Sequence, residues 1–413
     1  MASHSCTAYL YLNITLTTGS KITAYQAIKL YRKLKADNIF TGKEIFSGDH
    51  VLITEASGKI IEIIDTRDAG ENIEYNKGLI CPGFINCHCH IELSYLKDVI
   101  QPLSGLVTFV QAVMANRNFP LDQRLTAMQN AADELYETGI VAVGDICNNG
   151  DSVLLKKNSP LYWNNFIEVS GFVNASAEKR FVAAESVARS FSTLSFPYSI
   201  VPHAPYSVSK KLFELINEKS SGQLITIHNQ EEKSENDLYK NKTGEFLKLY
   251  ESLGIEISCF SPTQNTSFQS WLPYFTNGQR IISVHNIFIS QEDINLAKNI
   301  FFCVCINANL YIEESLPPLD LLIKNNCTIV LGTDSYASNR QLNMIEEMKT
   351  IQKNFPSVKT ETILKWATIN GAEALGITET FGSFFKGKTP GIVLIENIDE
   401  GIFSPATKAK RLL

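Results

Sequence analysis

The hydrophobic and polar positions change rhythm once along the chain. Positions 36–79 read as short strands and turns, with Gly42, Gly48 and Gly58 as turn residues. After that, apolar runs alternate with amphipathic stretches. The runs are 79–90, 139–147, 163–173, 198–203, 224–228, 280–285, 300–307 and 327–332. Between or after them, 121–137, 178–191, 210–218, 244–253, 291–298, 345–355 and 361–375 repeat apolar residues at helical spacing. Eight strands alternating with helices predict an α/β fold, a (β/α)8 TIM barrel. The segment 233–279 is longer than one helix needs and predicts an insertion near the barrel mouth. The stretch 387–395 returns to turn and strand. The expected organisation is an N-terminal extension at 1–34 that is a candidate for disorder, a small composite β domain from 35–78 plus 380–413, and a barrel over 79–379.

Composition narrows the class. The chain has 413 residues, 44% hydrophobic and 19% charged, which suits a folded soluble protein. A formal charge of −6 with mixed signs gives no reason to expect a nucleic-acid partner. No apolar run is long enough for a membrane span, and no secretory signal is evident. Nine scattered cysteines without a C-x-x-C pair read as reduced thiols, so a cytoplasmic location is expected.

The candidate chemistry lies at the ends of the apolar runs. Five of the seven histidines fall there: His88, His90, His203, His228 and His285; Asp334 follows the eighth run. In a barrel these ends share one mouth. In an extended strand, His88 and His90 face one side while Cys87 and Cys89 face the other, under the helices. Imidazoles with one carboxylate suit a divalent transition metal, zinc or iron, with an open position for water. Glu231, three residues after His228, is a candidate proton carrier. Glu92 and Glu168 are candidate substrate contacts, each with a structural alternative, as is Asp145.

Pro82-Gly83-Phe84-Ile85-Asn86 before His-x-His, His203-Ala-Pro-Tyr-Ser, His228-x-x-Glu231, Val284-His285-Asn286 and Gly332-Thr333-Asp334-Ser335 together resemble the amidohydrolase superfamily, in its aminohydrolase and chlorohydrolase branch. The resemblance spans about 36–396. It implies a mononuclear metal site of His88, His90, His228 and Asp334. It also implies that Asp334 takes a proton from the attacking water, that Glu231 protonates the substrate ring nitrogen and that His285 orients the nucleophile. It places His203 beside the substrate. Asn309 matches a family asparagine and is grouped with the substrate-facing candidates, although its first reading is loop-fixing.

The expected reaction is hydrolytic deamination of a small-molecule aminopurine or nucleoside-like substrate, with 6-aminofutalosine first. A chlorohydrolase or cyclic amide hydrolase using the same site, and a non-catalytic binding barrel, are the alternatives. The segment 103–110 carries no acid where ribose-binding relatives place one, which counts against S-adenosylhomocysteine and methylthioadenosine. Family habit makes a homodimer an expectation.

Overall fold

A computed structural model describes residues 31–413 apart from Cys259 and Glu400. Residues 1–30 of the expected 1–34 extension, His4 among them, lie outside the described residues. The first strand, β1 (Tyr31–Phe40), begins inside the stretch assigned to the extension.

Three sheets organise the chain. The first combines both ends of the sequence. β1, β2 (Ile45–Ser47), β3 (His50–Glu55), β4 (Ile60–Asp65) and β5 (Glu74–Pro82) come from the N-terminal part. The C-terminal strands are β14 (Ile392–Asp399) and β15 (Ile402–Arg411), and the order is β15-β14-β5-β1-β3-β4 with β2 on β1. β14 runs antiparallel to β5, which ties the C-terminal strands to the chain just before the first histidine pair.

The other two sheets are parallel and four-stranded. One holds β6 (Phe84–Cys89), β7 (Ile140–Cys147), β8 (Tyr162–Val169) and β9 (Tyr198–Pro202). The other holds β10 (Leu224–Asn229), β11 (Arg280–His285), β12 (Ile300–Val304) and β13 (Thr328–Leu331). Their strands are almost wholly buried, as expected for parallel strands covered by helices. Backbone bonds link the sheets at both margins. The His228 amide donates to the His203 carbonyl at 3.0 Å, and the Thr333 and Asp334 amides donate to the His88 carbonyl at 3.0 and 3.1 Å.

Two predicted runs need correction. The run 79–90 is two strands, because the chain leaves the composite sheet at Gly83 and enters β6. The Gly83 amide bonds to the Pro390 carbonyl at 3.2 Å. A Cβ there would lie 2.2 Å from Val141 Cγ1, so only glycine allows this crossing. The run 300–307 stops at Val304, and a helix over Ile306–Glu313 follows. The break hides in the sequence because both parts are apolar. Cys87 packs against the helix Ile369–Leu375, with Sγ 3.9 Å from the Gly371 carbonyl, as strand alternation predicts.

The predicted insertion contains helices over Lys233–Asn241, Phe246–Ser252 and Ser267–Trp271. The first two pack with the helix Leu106–Ala115 into an apolar cluster that includes Phe109, Leu238, Phe246 and Tyr250. No helix among the described residues is long and apolar enough to cross a membrane.

Candidate active site

The C-terminal ends of the parallel strands surround a cavity of about 650 Å3. His90, Glu92, Glu168, His203, His228, Glu231, His285 and Asp334 all line it. His88 lies just beneath, fully buried.

The centre is a cluster of nitrogen and oxygen donors. His90 Nε2 is 3.1 Å from His88 Nε2 and 3.2 Å from His228 Nε2. Asp334 Oδ1 is 3.6 Å from His88 Nε2 and 3.4 Å from His90 Nε2. Zinc–nitrogen bonds of about 2.0–2.1 Å at tetrahedral angles separate the donor atoms by about 3.3 Å, close to each of these four spacings. The protein also sets the protonation of His228. Its Nδ1 donates to the His203 carbonyl at 2.8 Å, leaving a lone pair on Nε2. Burial pushes the His90 pKa down to about 4 while Asp334 pulls it up, and burial holds His228 well below its usual range. Neutral imidazoles are the form that binds metal. The Asp334 carboxyl is held below its usual range: burial opposes its charge, but the His88 hydrogen bond and the other imidazoles around it outweigh that. Its other oxygen accepts from Ser338 Oγ at 2.7 Å.

Backbone conformation aims two of these residues. His285 and Asp334 adopt left-handed φ values of 71° and 58°, directly at or after their strand ends. Such conformations cost free energy and concentrate at functional sites. Behind the cluster, a Cβ on Gly332 would lie 2.8 Å from His88 Cβ and 2.9 Å from the sulfurs of Cys303 and Cys305. The missing side chain lets the last strand close against the first.

Beside the cluster, His285 Nδ1 bonds to Asn309 Oδ1 at 2.7 Å. The amide oxygen only accepts, so Nδ1 carries the proton and Nε2 is an acceptor. His285 Nε2 lies 3.6 Å from Glu231 Oε2. Burial raises the Glu231 pKa well above the usual carboxylate range, and the Asp334 charge adds to this.

Several candidates bond to the protein's own groups. Both oxygens of Glu92 are engaged: Oε2 accepts from the Asn148 and Asn149 amides at 2.9 and 3.1 Å, and Oε1 from Ser152 Oγ at 3.2 Å. Burial pushes this carboxyl up to about 8, against the pull of Lys156 and the Asn148 amide. Glu92 therefore holds the loop after β7. Asn309 sits behind His285 and does not line the cavity. Asp145 is structural too, accepting from the Ile91 amide at 2.9 Å and pairing with the buried Lys156. His203 and Glu168 do face the cavity. His203 Nδ1 meets Ser207 Oγ at 2.8 Å. Asn148, Lys156 and Ser338 were missed, because their roles arise from loop geometry that no spacing records.

Besides His88, His90 and Asp334, two further trios have donor atoms within 4.8 Å of one another: His88, His228 and His285, and Glu168, His203 and His228. The proton His228 Nδ1 donates to the His203 carbonyl removes that nitrogen from a second metal site.

Residues 79–409 match the profile of the amidohydrolase family. An aminodeoxyfutalosine deaminase from a Nitratiruptor species is 26% identical over 369 residues, covering 84% of this chain and 87% of the relative. A 5-methylthioadenosine/S-adenosylhomocysteine deaminase from Pyrococcus abyssi is 23% identical over 368 residues, covering 82% and 79%. The crystal structure of Helicobacter pylori aminofutalosine deaminase in complex with methylthio-coformycin aligns with a TM-score of 0.78 at 22% identity, over 92% of this chain and 100% of that one. At that identity the likeness speaks for the fold. With strand-end histidines and a carboxylate gathered at one mouth, and a profile matched over most of the sequence, the chain belongs to the amidohydrolase family.

Proposed function

We propose that this hydrolytic deaminase releases ammonia from the 6-amino carbon of an adenine-type base carried on a modified ribose, with 6-aminofutalosine as the first candidate substrate. The observation that carries the reading is the placement of Glu231, a buried carboxyl 3.6 Å from the acceptor nitrogen of His285 at the edge of the donor cluster, with its pKa raised by burial. Supporting it, the relatives matched along most of this chain are named as deaminases of adenosine derivatives.

His88, His90, His228 and Asp334 would hold one divalent transition metal, zinc or iron. Such a metal supplies a Lewis acid that brings the pKa of water close to neutrality. The chain's own groups then divide the proton work. His285 accepts a hydrogen bond from the attacking water at Nε2, with its ring fixed by Asn309. Asp334 takes the proton that water gives up. Glu231 donates its proton to the ring nitrogen beside the attacked carbon, which makes that carbon electrophilic. Asp334 then passes its proton to the amine, which leaves as ammonia as its bond to the ring carbon breaks; the added hydroxyl returns its proton to Glu231, and the base is left as the 6-oxo form.

The reading also takes the two parallel sheets as one closed eight-stranded barrel, supported by the backbone bonds at both margins. It takes 35–78 plus 380–413 as a composite β domain, supported by the sheet that joins both ends. Free cysteine thiols at 81, 87, 89, 147, 303, 305 and 327 fit a cytoplasmic enzyme.

An ammonia-release screen over adenine nucleosides, 6-aminofutalosine, guanine, pterins and aminotriazines tests the function. Turnover confined to adenine nucleosides and 6-aminofutalosine is the expected result. Turnover confined to guanine, pterins or triazines would refute the reading.

A further inference from the structure

Four carboxylates line the cavity among the described residues: Glu92, Glu168, Glu231 and Asp334. Glu92 is committed to its loop, while Glu231 and Asp334 belong to the reacting centre. Glu168 is left without a task. It stands near the end of β8 with a side chain only 9% exposed. Its one hydrogen bond comes from Asn148 Nδ2 to Oε1 at 2.8 Å, on the accessible wall of the cavity. Oε2 turns inward, 3.8 Å from His228 Nδ1, and has no hydrogen-bond partner because that nitrogen donates elsewhere. An ionised carboxylate offers about four acceptor positions, and here a single protein donor serves them. Buried polar groups are seldom left so short of partners.

The wall around Glu168 is built to present it. Glu92 fixes the Asn148 backbone, and the Asn148 side chain steers the carboxylate. The open partner must be a hydrogen-bond donor. An adenine ring offers only acceptors apart from the amino group that leaves, and a carboxylate facing those nitrogens would be repelled. On the nucleoside reading above, on which this inference rests, the remaining donors are the sugar hydroxyls.

We propose that Glu168, oriented by Asn148, is a specificity-determining residue that accepts a hydrogen bond from a ribose hydroxyl of the substrate through its cavity-facing oxygen.

The test compares kcat/KM for 5′-deoxyadenosine with its 2′-deoxy and 3′-deoxy analogues, in the parent enzyme and in Glu168→Gln, at matched metal content. In the parent, loss of the recognised hydroxyl should lower kcat/KM by roughly tenfold to a hundredfold, the range for a hydrogen bond to a charged group. In Glu168→Gln that ratio should collapse toward one. A structural defect, or a role for Glu168 at the departing amine, would slow all three substrates alike and leave the ratio unchanged, which would overturn the assignment. If Glu168→Gln does not fold, Asn148→Ala serves instead; it keeps the charge and should shrink the ratio part of the way, and an unchanged ratio again refutes the proposal. A parent enzyme inactive on every nucleoside would refute the nucleoside reading, and this assignment with it. Turnover without sugar discrimination would refute this assignment alone.

Discussion

Asn309 Oδ1 accepts the Nδ1 proton of His285 at 2.7 Å, and this one bond decides which face of the imidazole meets the cavity. Asn309 is fully buried and its helix starts directly after β12, so its position is set by the fold rather than by ligand. Asn309→Ala should therefore lower kcat by roughly tenfold to a hundredfold, the usual cost of losing an orienting partner. Metal content should stay the same. Metal analysis beside steady-state kinetics checks this, and an unchanged kcat would show that His285 needs no help.

Glu231→Gln keeps the shape of the side chain and removes the titrating proton. The variant should retain its metal and lose kcat by roughly a hundredfold to ten-thousandfold, the scale of general acid catalysis. Unchanged turnover would take Glu231 out of the proton path.

The donor cluster predicts about one transition metal per chain on elemental analysis. Chelation should abolish ammonia release, and zinc or iron should restore it. Asp334→Ala should bind metal more weakly, because it removes the carboxylate among the proposed ligands. A well-folded, fully active protein with no metal would defeat the ligand assignment.

Glu235 gives a pH signature away from the ligands. Burial raises its carboxyl from 4.5 to about 8. Oε1 accepts from the Gln230 amide at 2.9 Å and from Ser267 Oγ, while Oε2 has no partner. The folded state keeps this proton up to about pH 8, whereas the unfolded chain releases it above about 4.5. Its contribution is therefore complete at pH 4.5 and declines as pH rises toward 8, by about 1.4 kcal/mol per unit. Glu235→Gln should show a smaller loss of urea-unfolding stability between pH 5 and pH 8 than the parent. Parallel curves would contradict the assignment.

Much of the site could be read from the sequence because it rests on local rules. Strand alternation pairs His88 with His90, and parallel strands bring the later run ends to the same cavity. What could not be read depends on contacts between loops. Glu92 reaches the cavity from a 3-10 helix over Ile91–Leu96 rather than from a continued strand, and two backbone amides from the loop after β7 claim it first. Asn309, read first as loop-fixing and grouped with the substrate-facing candidates, holds His285 instead, and no local spacing records that link between neighbouring segments. The break at Gly83 was hidden by an unbroken apolar run; the crowding of Val141 that forces it is visible only in three dimensions.

The two parallel sheets divide the chemistry between them. His88, His90, Glu168 and His203 lie in or just after strands of the first parallel sheet, and His228, Glu231, His285 and Asp334 in or just after strands of the second. The bonds joining the halves run through the His88 and His203 carbonyls, so both joints fall on site residues. Neither half alone contains the proposed ligand set. Competence to bind metal should therefore arise late in folding, when the chain has closed on itself. A truncated or half-translated product would hold only two of the four donors, too few to capture an ion in the wrong place.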